Sequence, residues 1–361
     1  MVQIMESGVD MKDLMLRRSD LAIEAVDQFI SETNGKNSGV IKEERKESEL
    51  KITCIDILKG YEKKTGKNAG RYISIDTSKL GLETSDKLEQ TRQVFSNELK
   101  KFLKHKKIKD DATCLVVGLG NEHITPDALG PMALDNIIVT RHLYEIATNE
   151  LDGDYRKVSA LAPGVMGLTG IETFDIIESV VKKTKPDFLI VVDALAARAV
   201  SRVNKMIQMT DTGISPGSGV GNKRRRIDEA SLGVPVIAIG IPTVVDAVSV
   251  THDTIDLLLK HIGKSLDVKA GARHSHSFLD DEESEDFELK LPNEEIRKEF
   301  LGKIGVLSEE EKRGLLAEVL TPSGYNLIVT PKTIDSEMED LSRLVSNAVN
   351  VALHPKVEFS A

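Results

Sequence analysis

The sequence predicts an α/β fold, a largely parallel sheet flanked by helices. Three observations lead there. Thr113-Cys-Leu-Val-Val is a short continuous apolar run that ends in Gly118-Leu-Gly120, and Phe188-Leu-Ile-Val-Val192 and Val234 to Gly240 are runs of the same kind. A strand buried on both faces reads this way, because neither face meets water and the usual alternation disappears. Between the runs lie amphipathic stretches of about 10 to 20 residues, and strands alternating with such helices build parallel units.

The elements follow in order. Residues 1 to about 110 are rich in Lys and Glu and give few strong strand signals. One stretch, Asp86 to Leu103, sets Leu88, Val94, Phe95, Leu99, Phe102 and Leu103 at helical spacing and predicts a surface helix. After the first strand, near 114–118, a helix is expected from Pro126 through Ile146. Val158 to Leu161 is the next strand, closed by Ala162-Pro163-Gly164. A helix over 171–185 ends at Pro186-Asp187, and the 188–192 run follows. Asp193 to Val203 reads as helix, Lys205 to Met209 as a short strand, 234–240 as a strand and Thr251 to Ile262 as helix. Asp280 to Asp286 is six acids in seven residues, a self-repelling block expected as a solvated loop. Helices near 293–303, 308–319 and 331–352 should pack on the core. The organisation expected is one domain: a core over about 111–265, an acidic loop over about 270–290 and C-terminal helices over about 291–361.

Composition removes several function classes. The 361 residues carry 48 basic and 58 acidic side chains, a net charge of −10, with 5 Tyr, 9 Phe and no Trp. Such a chain has neither the charge to hold duplex DNA nor the aromatic faces to stack on bases. No apolar run approaches the roughly 18 residues needed to span a bilayer, and the N-terminus lacks the apolar stretch of a secretory signal. Neither membrane nor nucleic acid is expected as a partner, and an intracellular protein is. Cys54 and Cys114 cannot form a disulfide framework and sit in no CxxC pair, so each is expected as a reduced structural thiol.

In a parallel sheet, ligands gather where strands run out into loops. Two carboxylates stand at such turns: Asp127, behind Pro126 after the first strand, and Asp193, directly after Phe188 to Val192. Spacing alone leaves two readings, a helix N-cap with a first-turn acid, or a pair for acid-base chemistry. Other signatures are missing. Pro216-Gly-Ser-Gly-Val220 fails the GxSxG pattern, no HExxH occurs, Gly118-Leu-Gly120 meets His123 where a dinucleotide fingerprint needs glycine, and there is no P-loop. Gly213 to Asn222 could cradle an anion or form a plain turn, Lys223-Arg-Arg-Arg226 could meet an acidic partner or face solvent, and His123 could act beside Asp127 or decorate a loop.

At this point longer blocks become informative. Val116-Val-Gly-Leu-Gly-Asn121, Thr125-Pro-Asp-Ala-Leu-Gly-Pro131, Ala162-Pro-Gly-Val-Met-Gly167, Thr169-Gly-Ile-Glu-Thr173, Val192-Asp-Ala-Leu-Ala-Ala-Arg198, Asp211 to Arg224 and Ile239 to Val248 resemble, in order, the germination protease family of spore-forming Firmicutes. The resemblance implies an endopeptidase that degrades small acid-soluble spore proteins during germination, in the cytoplasm of the developing forespore and the spore core. It also implies a homotetrameric zymogen, no cofactor and no metal, and a fold similar to hydrogenase-maturation endopeptidases. By motif, the family's essential aspartates fall on Asp127 and Asp193.

The family's zymogen cuts itself after an acidic residue followed by a large apolar one, then Ala, then Glu two residues further. Arg18-Ser-Asp-Leu-Ala-Ile-Glu24 fits, which puts the cut between Asp20 and Leu21, with 1–20 a pro-segment and 21–361 the catalytic domain. Without the family, Ser19 reads as the N-cap of an amphipathic helix. An acid before the cut calls for a basic recognition group, and Arg198, Arg202 or the 223–226 cluster are the candidates, with His123 a further substrate-binding candidate. Two carboxylates can divide base and acid roles if their surroundings separate their pKa values: Asp127 is expected as the base and Asp193 as the proton holder. The rival enzyme is a metal-dependent maturation-type endopeptidase using Asp127 and Asp193 as ligands, with or without His123. A non-enzymatic rival is an anion-binding regulator using the Gly213 to Asn222 loop.

Overall fold

The computed structural model describes residues 19–33, 39–78, 85–146, 155–217, 224–269, 291–320 and 327–357. Asp280 to Asp286, most of the expected pro-segment, Lys223 and the end of the Gly213 to Asn222 loop lie outside them. The chain divides into two compact units, one containing Asp246–Ile328 and the other containing Arg17–Val245 and Val329–Ala361.

The larger unit is organised by a sheet of order β1-β2-β3-β7-β8-β6-β4-β5. Its strands are β1 Val40–Glu47, β2 Leu50–Ile57, β3 Gly70–Asp76, β4 Cys114–Gly118, β5 Val158–Leu161, β6 Phe188–Ala197, β7 Met206–Thr210 and β8 Val236–Asp246. The β8-β6-β4-β5 part is parallel, as the apolar runs predict. The rest is not: β1-β2, β2-β3, β3-β7 and β7-β8 all pair antiparallel, so the sheet is mixed and mostly antiparallel rather than largely parallel.

The antiparallel wing comes from the Lys- and Glu-rich region that gives few strand signals. β1 reads VIKEERKE and is mostly exposed, an edge strand whose charges discourage pairing with another chain. Its turn into β2 uses Ser48 and Glu49 at φ of 50° and 66°, backbone for which Asn-Gly is the usual marker. Lacking that pair, the hairpin leaves no trace in the sequence.

Side chains of β4 and β6 alternate between two cores. Val116, Ile190 and Val192 pack with Phe95, Leu99, Phe102, Leu344 and Val345, so the Ser85–His105 and Ile334–Leu353 helices cover one face. Leu115, Val117, Leu189 and Val191 pack with Phe174, Ile177 and Val181 of the Thr173–Thr184 helix on the other. The surface helix expected over 86–103 is therefore amphipathic with its apolar stripe fully enlisted. Cys114 is buried and Cys54 half-buried, both as free thiols, and burial pushes the Cys114 thiol far up.

Two further expectations are corrected. The single helix over 126–146 is instead a 3-10 turn, Thr125–Asp127, followed by two short helices, Leu129–Leu134 and Arg141–Ile146. The helix expected over 193–203 is replaced by the end of β6, which runs to Ala197 before a short Val200–Arg202 turn. Ala194, Leu195, Ala196 and Ala197 favour helix locally, but each has a pairing partner on β8, and a ladder across a long strand outweighs such a propensity.

The smaller unit is helical: Ala247–Lys269, Glu294–Leu301 and Glu309–Leu320, with Asn293 capping the second through the Ile296 N–H. Inside it the buried His252 places Nε2 2.5 Å from Glu309, and buried Lys312 reaches Glu309 at 3.0 Å and Asp256 at 3.6 Å. Among the described residues, no helix is long and apolar enough to cross a membrane.

Candidate functional site

Asp193 does not cap a helix. It sits within β6, paired with Gly240 of β8, which is in turn paired with Gln208 of β7. Residues paired across a sheet point to one face, so Asp193 and Gln208 flank a glycine on the face whose lower part the Thr173–Thr184 helix covers. Pairing of β4 with β6 stops at Gly118 and Val192, so from Asp193 onward β6 is paired with β8 alone. Asp193 is 7% exposed. Burial, then the charges of Asp127 and Asp20, raise its carboxyl well above the usual carboxylate range, against the pull of the Ala194 N–H.

Asp127 closes the 3-10 turn after β4. Gly120 stands at φ +118°, and a Cβ there would lie 1.9 Å from the Asp127 carbonyl oxygen, so only glycine lets the loop fold back. The Asn121 N–H donates to the Asp127 carboxylate at 2.8 Å, and the Thr243 hydroxyl donates to the Pro126 carbonyl at 2.6 Å. Burial pushes the Asp127 carboxyl up, while the Asn121 N–H and the Arg224 charge pull it down. Two carboxylates thus share one electrostatic environment and differ in it: one buried and strongly raised, the other better solvated and partly compensated.

The segment matching the expected cleavage pattern is seated on this face. Asp20 N–H donates to the Ala196 carbonyl at 2.9 Å, and Ala196 N–H donates to the Asp20 carboxylate at 2.9 Å. Gln208 accepts from the Ala22 N–H at 2.6 Å and donates to the Asp20 carbonyl at 3.2 Å. Lys67 donates to the Ser19 carbonyl at 2.8 Å. Leu21 and Ala22 are fully buried. Leu21 is extended, at φ −75° and ψ 125°, and the Ala22–Glu32 helix begins after it. Leu21, not Ser19, is therefore the N-cap; the Ser19 hydroxyl accepts from the Leu21 N–H and donates to Glu24. The Glu24 carboxylate, in the first helical turn, accepts from the Arg198 and Ala199 N–H groups at 2.8 and 3.0 Å.

The other expected residues divide. Arg202 faces Glu24 at 3.9 Å and Asp27 at 3.3 Å, so it meets the acid after the Asp20–Leu21 bond, and Arg198 contributes its main-chain N–H there. At Asp20 a main-chain amide of β6, that of Ala196, donates to the carboxylate. Arg225 lies over the Phe174 ring and pairs with Asp175, and Arg226 binds Asp228, Ser215 and the Thr212 carbonyl, both structural roles. The His123 ring is exposed and lies 3.7 Å from Glu122. Among the described residues, the side chains that converge as a metal-ligand set are His252, Asp256 and Glu309, not Asp127, Asp193 and His123. Gln208 and Ala196 were not foreseen. The one available signal is a lone amide inside the Met206–Thr210 strand, otherwise apolar or Thr and buried throughout.

Comparison with known proteins adds an independent line. The germination protease family model matches residues 16–361. The chain is 48% identical to the germination protease of Priestia megaterium, over 98% of each chain. It is 45% identical to that of Bacillus subtilis, over 98% of this chain and 97% of that one. Against the Oceanobacillus iheyensis protein identity is 48%, over 94% and 95%. With agreement at this level along nearly the entire length, the chain belongs to the germination protease family.

Proposed function

We propose that the chain is an aspartate-dependent endopeptidase made as a self-processing zymogen, which cuts its own Asp20–Leu21 bond and then small acid-soluble spore proteins at similar bonds. One observation carries this reading: Asp20 to Glu24 lies along the face that bears Asp193, with both carbonyl and amide groups around the Asp20–Leu21 bond engaged. In this reading Asp127 is the base. It takes a proton from water as the water oxygen attacks the Asp20 carbonyl carbon. Asp193, whose surroundings favour the protonated form, gives its proton to the Leu21 nitrogen as the C–N bond breaks. The products are a Leu21 amine and an Asp20 carboxylic acid, which then gives up its proton to solvent as Asp127 and Asp193 return to their starting forms.

Latency follows from occupancy. A chain that already fills its groove with residues 19–24 denies the same groove to a substrate until the bond is cut and the segment leaves. Specificity follows from the same contacts: an acid at the Ala196 amide, a large apolar group buried next, a small residue, then a Glu at the Arg198 and Ala199 amides.

The test is intact mass and N-terminal sequence of wild type, Asp127→Asn and Asp193→Asn after incubation at mildly acidic pH. Wild type is expected to begin at Leu21 and both variants to stay whole. Near-native single-turnover cleavage by Asp193→Asn would overturn the shared mechanism. The proposal needs no cofactor. The metal-dependent rival is not favoured: among the described residues, Asp127, Asp193 and His123 do not converge as a set.

Assembly into a homotetramer, a location in the forespore and spore core, and fold kinship with the hydrogenase-maturation endopeptidases belong to the same proposal. Exposed Leu257, Leu258 and Val319 on the helical unit support an association face.

A further inference from the structure

We propose that Gln208 is a catalytic residue of the peptide cleavage: its carboxamide holds the carbonyl of the bond that is cut and stabilises the oxyanion that forms there. This rests on the reading that Asp20–Leu21 is the bond in question. Three observations carry it.

The first is position. Gln208, Gly240 and Asp193 form one row across β7, β8 and β6, with their side chains on one face. At about 4.8 Å per strand spacing, the two outer residues stand about 10 Å apart. That gap admits an extended peptide, with the Asp193 acid on one side and an amide on the other.

The second is the pair of hydrogen bonds. The Ala22 N–H can only donate, so the Gln208 atom 2.6 Å from it is the oxygen. That fixes the amide, and its NH2 group faces the Asp20 carbonyl at 3.2 Å. Holding the carbonyl before the bond and the amide of the second residue after it, one side chain grips the chain across the bond and sets its register. An oxyanion hole needs a donor at 2.7 to about 3.1 Å from the developing charge, and the bond has room to shorten as charge builds.

The third is charge. A Lys or Arg at 208 would also stabilise an oxyanion, but its field would favour ionised Asp193 and empty the acid of its proton. A neutral carboxamide supplies the donor without that conflict. Gln208 is 5% exposed in a strand that is otherwise apolar or Thr, a place where an amide needs partners.

In the step, the water oxygen bonds to the Asp20 carbon while its proton passes to Asp127. The carbonyl π pair moves onto the Asp20 oxygen, where the Gln208 N–H meets it. On collapse the pair returns, the C–N bond breaks and Leu21 leaves as an amine with the Asp193 proton.

The experiment measures first-order processing of the full chain for wild type, Gln208→Met and Gln208→Glu across pH. Gln208→Met removes donor and acceptor at similar volume. Gln208→Glu keeps an acceptor for the Ala22 N–H and loses the donor when ionised. Both are expected to process about 100- to 1000-fold more slowly at neutral pH. For Gln208→Glu the deficit relative to wild type is expected to narrow toward acid pH, where the protonated carboxyl donates again. Hydrogen exchange at the Ala22 amide of the uncut Gln208→Glu chain should remain slow, separating a catalytic loss from an unseated segment. Wild-type rates in both variants would overturn the role, and so would a Gln208→Glu deficit that is the same at every pH. If Gln208→Met does not fold, the pH recovery of Gln208→Glu alone decides. Cleavage of wild type elsewhere than Asp20–Leu21 would instead bring down the underlying reading, and the wild-type arm reports it by itself.

Discussion

Single residues set the chemistry here through what surrounds them. Gly120 is the clearest case, because its backbone angle and the Asp127 carbonyl beside it both exclude a side chain. Gly120→Ala should cost about 1–3 kcal/mol in strain. It should also slow processing by about 100-fold by shifting Asp127, as small misplacements do; thermal melting and the appearance of a Leu21 N-terminus check both. Asp193 makes a second prediction. Its folded-state pKa lies above the unfolded value, so its contribution to stability is intact at low pH and is lost as pH rises through the folded value. Asp193→Asn should therefore gain in melting temperature relative to wild type as pH is raised from 4 to 8; a constant difference would refute the assignment. The two aspartates were legible because they follow apolar runs. Gln208 was not, since only the sheet register reveals that a residue between Ile207 and Met209 faces Asp193.

The Ala22–Glu32 helix is anchored at its first turn by Glu24, whose carboxylate takes two main-chain N–H groups from the stretch after β6. Hydrogen bonds to a charged group contribute about 1.5–3 kcal/mol, and this one is buried. Glu24→Ala should loosen the segment by about that amount, slow self-processing, and leave the core intact by circular dichroism. Glu24→Gln, which keeps one oxygen acceptor, should fall between. Element boundaries show where sequence reasoning runs out. β4 and β6 announce themselves because burial on both faces makes their composition continuous. β1 hides, because an edge strand with VIKEERKE obeys solubility rather than packing. The tail of β6 misleads, because four residues that favour helix are claimed by β8.

Within the larger unit, stretches distant in the chain meet in one core. The Ile334–Leu353 helix, from the last residues of the chain, packs with Phe95, Leu99 and Val116 in the core that also holds β6 and β8. Leu344 is fully buried there, and Leu344→Ala should cost about 2–5 kcal/mol, read as a fall in denaturation midpoint. Class and layering were readable from periodicity, and family membership from the motif blocks. The mixed sheet was not, because the antiparallel pairing of β3 with β7 joins segments more than 100 residues apart. The extended Leu21, gripped through main-chain groups on both sides, has one more consequence. Those groups are free in a chain only where it has no secondary structure of its own. A helix or a folded domain must first melt locally to offer them, so in the proposed reaction the free energy of that melting would add to the barrier of each cleavage. Under the proposed cleavage at Asp20–Leu21, selection would then measure the target's local order as much as its letters, and well-folded neighbours that carry the same five residues should be spared.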